Sequence, residues 1–298
     1  FDPDGTAPQP AALTVIQNSL QFYFEGGSED YQTIATWDGT AWNVRRSVVT
    51  SGGSTNSRID SIFAWIGQTP DGSVSGMLWG GSTSNDLRRN GPSFWNGSDA
   101  VEIGSGIDGR VLNMTDWDPD GPGPTTSRIV GVGEMSQAGQ LRSRGMASWN
   151  GESWEAFPSS IAQAQCVATW SEAGSVARTL VIGGSFSVPQ RSIARWAGSA
   201  WAPLGTGITG FVSALQSWDP DGPGPGGELL IAAGQFTAAG GIAASNIAAW
   251  NGSTWSALGA GFNSSVTALT TWDSDGAGPI QPWLIAVGNF TRSGTEVR

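Results

Sequence analysis

Residues 234–276 read GQFTAAGGIAASNIAAWNGSTWSALGAGFNSSVTALTTWDSDG and follow the apolar run LLIAAG at 229–234. This stretch holds an apolar run closed by glycine, an Asn-Gly pair between two tryptophans, and a second apolar run closed by tryptophan and an Asp-rich turn. Short apolar runs bounded by Gly, Asn and Asp read as strands. Asn-Gly supplies the positive backbone angles of a two-residue type I′ hairpin, so the runs on either side of it are expected to pair antiparallel.

The same features recur along the chain. The glycine-closed run appears as LQFYFEGG (20–27), VSGMLWGG (74–81), RIVGVG (128–133), RTLVIGG (178–184), LLIAAG (229–234) and WLIAVG (283–288), with the last glycines 50 to 54 residues apart. The hairpin signature appears as IATWDGTAW (34–42), PSFWNGSDA (92–100), MASWNGESW (146–154), IARWAGSAW (193–201) and IAAWNGSTW (247–255). The tryptophan-closed run appears as IDSIFAW (59–65), VLNMTDW (111–117), AQCVATW (164–170), VSALQSW (212–218) and VTALTTW (266–272). In this last column a small or polar residue (Ser61, Asn113, Cys166, Ala214, Ala268) is followed by a larger apolar one, so both faces of the strand need cover.

Each unit of about 52 residues, counted from its glycine-closed run, therefore holds four strands. Four-stranded antiparallel units with two apolar faces pack as blades around an axis, since each blade covers its neighbour. The expected fold is an all-β propeller of four-stranded antiparallel blades, with residues 1–298 as one domain. Sandwiches lack a repeat of this period, and β-helix coils are much shorter. The sixth unit stops at Arg298 where its hairpin is due, so the domain is expected to be incomplete at the C-terminal end. Five complete blades plus the first strand of a sixth are counted, and six blades are favoured over seven or more. ALTVIQ (12–17) is a candidate for an outer or tryptophan-type strand of the last blade.

Composition narrows the chemistry. The chain has 44 Gly and 16 Pro, which few helices would survive. It has no His, and all 14 basic residues are Arg. Ser-His-Asp and Cys-His couples, His-containing zinc sites and lysine Schiff bases are thereby excluded. A net charge of -11 speaks against nucleic acid and anionic membranes as partners. No run of about 20 apolar residues offers membrane insertion. The 16 tryptophans at repeat positions read first as packing between blades and second as sugar-stacking platforms.

The glycine-closed strand, the strand ending in an aromatic, the short turn and the W-x-x-L segments WAPL (201–204) and WSAL (255–258) resemble the kelch-type propeller repeat. The fuller stretch at 234–276 is similar to repeats of large, uncharacterised secreted bacterial proteins with WDPDG and WNGxxW motifs. The resemblance spans nearly the whole chain and implies a propeller and a secreted or cell-surface setting.

Among loops, WDPDGPGP (117–124), WDPDGPGP (218–225) and WDSDGAGP (272–279), with a relative at FDPDGTAP (1–8), are expected on the same face as the hairpin turns. Asp at alternate positions suits calcium, which makes Asp118, Asp120, Asp219, Asp221, Asp273 and Asp275 the metal candidates. Asp-Pro-Asp-Gly is equally a plain turn sequence, and that reading is preferred. GSGIDG (104–109) and GTGITG (205–210) match a dinucleotide fingerprint, yet each lies between two strands and lacks the helix that would hold a pyrophosphate. Asn96, Asn113, Asn251, Asn263 and Asn289 head Asn-X-Ser/Thr triplets, two of them inside hairpin turns. Cys166 reads as a buried filler.

Paired carboxylates are the catalytic route that composition leaves open. The non-repeat acids Glu25, Asp60, Asp86, Asp116 and Glu134 show no convergent spacing. The expectation is a non-enzymatic extracellular or cell-surface interaction or structural module, binding protein or glycan and needing no cofactor. The alternative is a carbohydrate-binding module or glycosidase using acidic loops and exposed Trp.

Overall fold

A computed structural model describes residues 20–24, 27–37, 42–49, 58–69, 72–82, 92–95, 100–104, 106–121, 127–158, 161–172, 175, 177–189, 191–222, 227–272, 281–294 and 296–297. All regular structure among them is β, in antiparallel sheets. The first sheet joins β1 (Leu20–Phe24), β2 (Gly27–Trp37) and β3 (Trp42–Val49). The second comprises β4 (Arg58–Thr69), β5 (Gly72–Ser82), β6 (Ser93–Trp95) and β7 (Ala100–Glu102). The third is built from β8 (Ile107–Trp117), β9 (Arg128–Ala138), the two-residue β10 (Leu141–Arg142), β11 (Met146–Trp149) and β12 (Trp154–Ala156). The fourth holds β13 (Ala164–Ser171), β14 (Arg178–Gly184), β15 (Ile193–Trp196) and β16 (Trp201–Pro203). The fifth holds β17 (Ile208–Trp218), β18 (Leu229–Ala239), the short β19 (Ile242–Ala243), β20 (Ile247–Trp250) and β21 (Trp255–Ala257). Last come the pair β22 (Val266–Trp272) with β23 (Trp283–Gly288), and the small hairpin β24 (Arg292–Ser293) with β25 (Glu296–Val297). The second to fifth sheets are thus meanders of roughly four strands.

The repeat is phased differently from the sequence count. Each full sheet opens on the tryptophan-closed strand, which pairs with the glycine-closed strand that follows it: β8 with β9, β13 with β14, β17 with β18. Any cyclic permutation of four strands has the same period, so hydrogen bonding alone fixes where one sheet ends. ALTVIQ lies outside the described residues.

The glycine column has a steric cause. β8, β13, β17 and β22 each carry a bulge, between Val111 and Asn113, Ala164 and Cys166, Val212 and Ala214, and Val266 and Ala268. Beside it, the strand backbone presses on the facing glycine. A Cβ on Gly133, Gly184 or Gly234 would sit 2.1 Å from the carbonyl oxygen of Arg110, Gln163 or Phe211. On Gly288 it would sit 2.2 Å from that of Ser265. No side chain fits there.

The hairpin turns also differ from expectation. Trp149 pairs with Trp154 and Trp250 with Trp255, enclosing four residues. Of each Asn-Gly pair only the glycine, Gly151 or Gly252, has a positive φ, 100° in both. The asparagine acts through its side chain instead: Asn150 Oδ1 accepts the N–H groups of Glu152 and Ser153, both at 2.9 Å. Asn251 Oδ1 accepts those of Ser253 and Thr254, at 3.0 and 2.9 Å. Such Asx capping frees the asparagine from the left-handed region.

Successive sheets stack, with β4, β8, β13, β17 and β22 lying against one another in that order. The core is a series of layers between sheets: Leu78 with Val111 and Met114, Val130 and Val132 with Val167 and Leu180, Val181 and Ile193 with Val212 and Leu230, Ile231 and Ala233 with Val266. Indoles cross these layers both ways. Trp117, Trp170 and Trp218 donate Nε1–H forward to the carbonyls of Arg178, Glu228 and Pro282 at 2.8–2.9 Å. Trp154 and Trp255 donate backward to those of Ile103 and Leu204 at 2.8 and 3.0 Å. Each indole buries apolar area and satisfies a carbonyl of the neighbouring sheet.

Candidate functional site

In each full meander, the loop after the first strand and the turn after the third lie at the same end. The Asp-Pro-Asp-Gly loops and the Asn-capped turns therefore share an acidic end. Asp118 Oδ1 accepts the Asp120 N–H, and Asp219 Oδ1 accepts the Asp221 N–H, each at 3.3 Å. These are Asx turns made with the first carboxylate of each loop. Loss of hydration, followed by the neighbouring Asp221 carboxyl, raises the Asp219 pKa above the usual carboxylate range. Each loop brings two carboxylates together. Among the described residues no three His, Cys, Asp or Glu side chains converge as metal ligands. Asp273 and Asp275 lie outside the described residues.

The tryptophans at this end are mostly interior. Trp117, Trp149, Trp154, Trp170, Trp196, Trp201, Trp250 and Trp255 are buried, whereas Trp272 and Trp283 are exposed. The pairs Trp149–Trp154, Trp196–Trp201 and Trp250–Trp255 meet with ring centroids 5.2–5.6 Å apart. The G-x-G-x-x-G segments serve this packing. A Cβ on Gly104 would meet the Trp149 ring at 2.5 Å, and one on Gly205 would meet Trp255 and Trp250 at 3.1 and 3.2 Å. At their other ends a Cβ on Gly109 or Gly210 would sit 2.1 or 2.4 Å from the Glu134 or Gln235 carbonyl oxygen. No helix follows either segment; each runs directly into a strand, β8 or β17.

Cys166 is free and buried, with Sγ 3.7 Å from the Val212 carbonyl oxygen, and burial pushes its thiol pKa far up. It is a packing residue. Asn113, Asn251 and Asn263 all have their side-chain oxygens engaged, on the N–H groups of Val167, of Ser253 and Thr254, and of Thr291 and Arg292.

The opposite end, where the second strand turns to the third, carries a feature absent from the sequence reading. A polar cleft of about 760 Å³ lies between the third and fourth sheets, lined by Glu134, Gln137, Arg142, Arg144, Gln163 and Gln165 among others. Its cause is a shortening of the fourth sheet. β13 and β14 have 8 and 7 residues, where β8, β9, β17 and β18 have 11. The overhanging β9–β10 hairpin is held by Ser143 N–H to Ser136 O at 2.9 Å and Gly145 N–H to Met135 O at 3.1 Å. Gln163 lines the cleft with φ 68°, a left-handed conformation that costs on the order of 1 kcal/mol for a non-glycine residue. Two arginines against one glutamate make the cleft locally cationic on a chain of net charge -11.

Exposed aliphatic side chains also lie at this end of the sheets. Leu141 on β10, Val188 in the loop after β14 and Ile242 on β19 are 54, 74 and 42% exposed, on three successive sheets. The sequence signal that could have located the cleft is a spacing. Gly184 to Trp196 is 12 residues, whereas Gly133 to Trp149 and Gly234 to Trp250 are each 16.

Comparison with known protein families finds no matching family model, and comparison with curated proteins finds no similar one.

Proposed function

We propose that the stacked sheets close into a six-bladed β-propeller that serves, without catalysis, as an interaction module in a secreted or cell-surface assembly. Closure is supported by the unbroken succession β4, β8, β13, β17 and β22, as expected of strands lining a central axis. The observation that carries the functional reading is that the exposed tips Leu141, Val188 and Ile242 lie on successive sheets at the same end as the cationic cleft. Aliphatic tips and a polar groove at one end give the mixed apolar and polar surface typical of non-obligate protein interfaces. The cleft chemistry favours an acidic polypeptide segment, with the tips as its apolar flank.

The test is binding to intact cell surfaces and their shed proteins by the wild-type chain and by the variant Leu141→Asp/Val188→Asp/Ile242→Asp. The variant is expected to melt as the wild type does and to bind at least tenfold more weakly. A glycan array and polysaccharide turnover assays form the opposing arm. Glycan binding unaffected by the tip substitutions would transfer the cleft to a carbohydrate ligand, and reproducible turnover would make the protein an enzyme.

A further inference from the structure

The side chains lining the polar cleft between the third and fourth sheets follow a period of two on each wall. On the third-sheet wall Arg142 and Arg144 both line the cleft and are exposed, while Ser143 between them is buried with its hydroxyl donating to the Met146 carbonyl. On the fourth-sheet wall Gln163 and Gln165 line it, and Ala164 between them is buried. Among the described residues, none of these four side chains has a hydrogen-bond or ion-pair partner within the chain, and neither has that of Gln137. The lining thus presents two guanidiniums and three amides whose hydrogen-bonding capacity the chain itself leaves unused. Glu134 is the one acid in that lining.

The backbone on the fourth-sheet wall carries a second mark. In the third and fifth sheets the positive φ ahead of the bulge falls on a glycine, Gly109 at 117° and Gly210 at 139°. In the fourth it falls on Gln163, at 68°, where a side chain is disfavoured. Strained non-glycine residues gather where a ligand is held, and Gln163 combines that strain with an amide that no internal packing or hydrogen bond explains.

A period of two on both walls selects the shape of the ligand. Residues i and i+2 of an extended chain project to one side about 7 Å apart, and the residue between them projects to the other. In a helix i and i+2 do not share a face. We propose that the cleft takes an extended segment with carboxylates on alternate residues, one carboxylate on Arg142 and the next on Arg144, while the intervening side chains turn to Gln163 and Gln165. The inference rests on the reading of the cleft as the seat of an acidic polypeptide, and adds the conformation of that segment and the spacing of its acids. The guanidiniums supply charge-assisted hydrogen bonds. Each glutamine amide both donates and accepts, which suits a Ser, Thr or Asn between the two acids.

The test is fluorescence anisotropy of three labelled peptides of one composition, Ser-Asp-Ser-Asp-Ser, Ser-Asp-Asp-Ser-Ser and Asp-Ser-Ser-Ser-Asp, titrated with the whole chain at low salt. The first is expected to bind about fivefold more tightly than the others, the worth of one partly exposed charge pair. Arg142→Gln and Arg144→Gln should each erase that preference, and Glu134→Gln, which removes the acid of the lining, should tighten all three. Gln163→Gly should weaken the first peptide about threefold, the loss of one hydrogen bond. It should do so without lowering the melting temperature, because glycine adopts the positive φ freely. Equal binding of the three peptides, weakened by Arg142→Gln, would overturn the spacing and leave the acidic ligand standing. Absence of binding by any peptide, or binding untouched by both arginine substitutions, would overturn the inference and remove the acidic ligand from the cleft with it.

Discussion

A single methyl group on Gly234 would lie 2.1 Å from the Phe211 carbonyl oxygen, inside any tolerated contact. Gly234→Ala is therefore expected to destabilise the chain by about 3 kcal/mol in denaturant unfolding, the upper range of overpacking costs. Gly198→Ala, at a turn with φ 88° and open space around it, should cost only about 1 kcal/mol. Equal losses at the two sites would refute the close-approach account. Trp170→Phe keeps a ring in the layer but strips the Glu228 carbonyl of its indole donor, and should cost about 1–2 kcal/mol. The Asp219–Asp221 pair makes a pH prediction. Asp219 has a folded-state pKa above its unfolded one, so its penalty is absent below the unfolded pKa and grows as pH rises through the folded value. Asp221→Asn should lower the Asp219 pKa in an NMR titration and raise stability at neutral pH, with no difference in acid. A pKa unmoved by the substitution would remove Asp221 as a cause.

The hairpin element tests the turn chemistry. Asn251→Ala deletes the acceptor of the Ser253 and Thr254 N–H groups and should cost about 1 kcal/mol. The fourth sheet carries Ala197 at the equivalent place, closed by the Ala197 N–H on the Ala200 carbonyl at 2.9 Å. Ala197→Asn should supply the missing cap and stabilise by about 0.5 kcal/mol in thermal melts; a loss there would mean that capping is not what the asparagine contributes. This element also marks how far the sequence can be read. The Trp-closed and Gly-closed columns gave strand positions, antiparallel pairing and two-sided cover, because spacing and apolar periodicity act locally. Asn-Gly serves a type I′ turn and an Asx-capped turn alike, so residue identity did not separate them. The bulges opposite Gly133 and Gly234 arise from pairing with another strand, and no local pattern announces them. The cleft at Gln163 depends on two strands stopping early, legible only as the shorter Gly184-to-Trp196 interval.

From the second sheet to the sixth, indole hydrogen bonds and apolar layers join each sheet to the next, and the first strands of these successive sheets adjoin. Repetition of one interface with a constant rotation generates a ring when the rotation closes and an open stack when it does not. The acidic loops, the polar cleft and the aliphatic tips take their relative places from that rotation, so closure governs the functional reading. Small-angle X-ray scattering on the monomeric chain measures it most directly. A closed ring of 298 residues is expected to give a radius of gyration of about 19 Å and a single symmetric peak in the pair-distance distribution. A distribution with a long tail and a radius several ångströms larger would show an open stack and contradict the propeller.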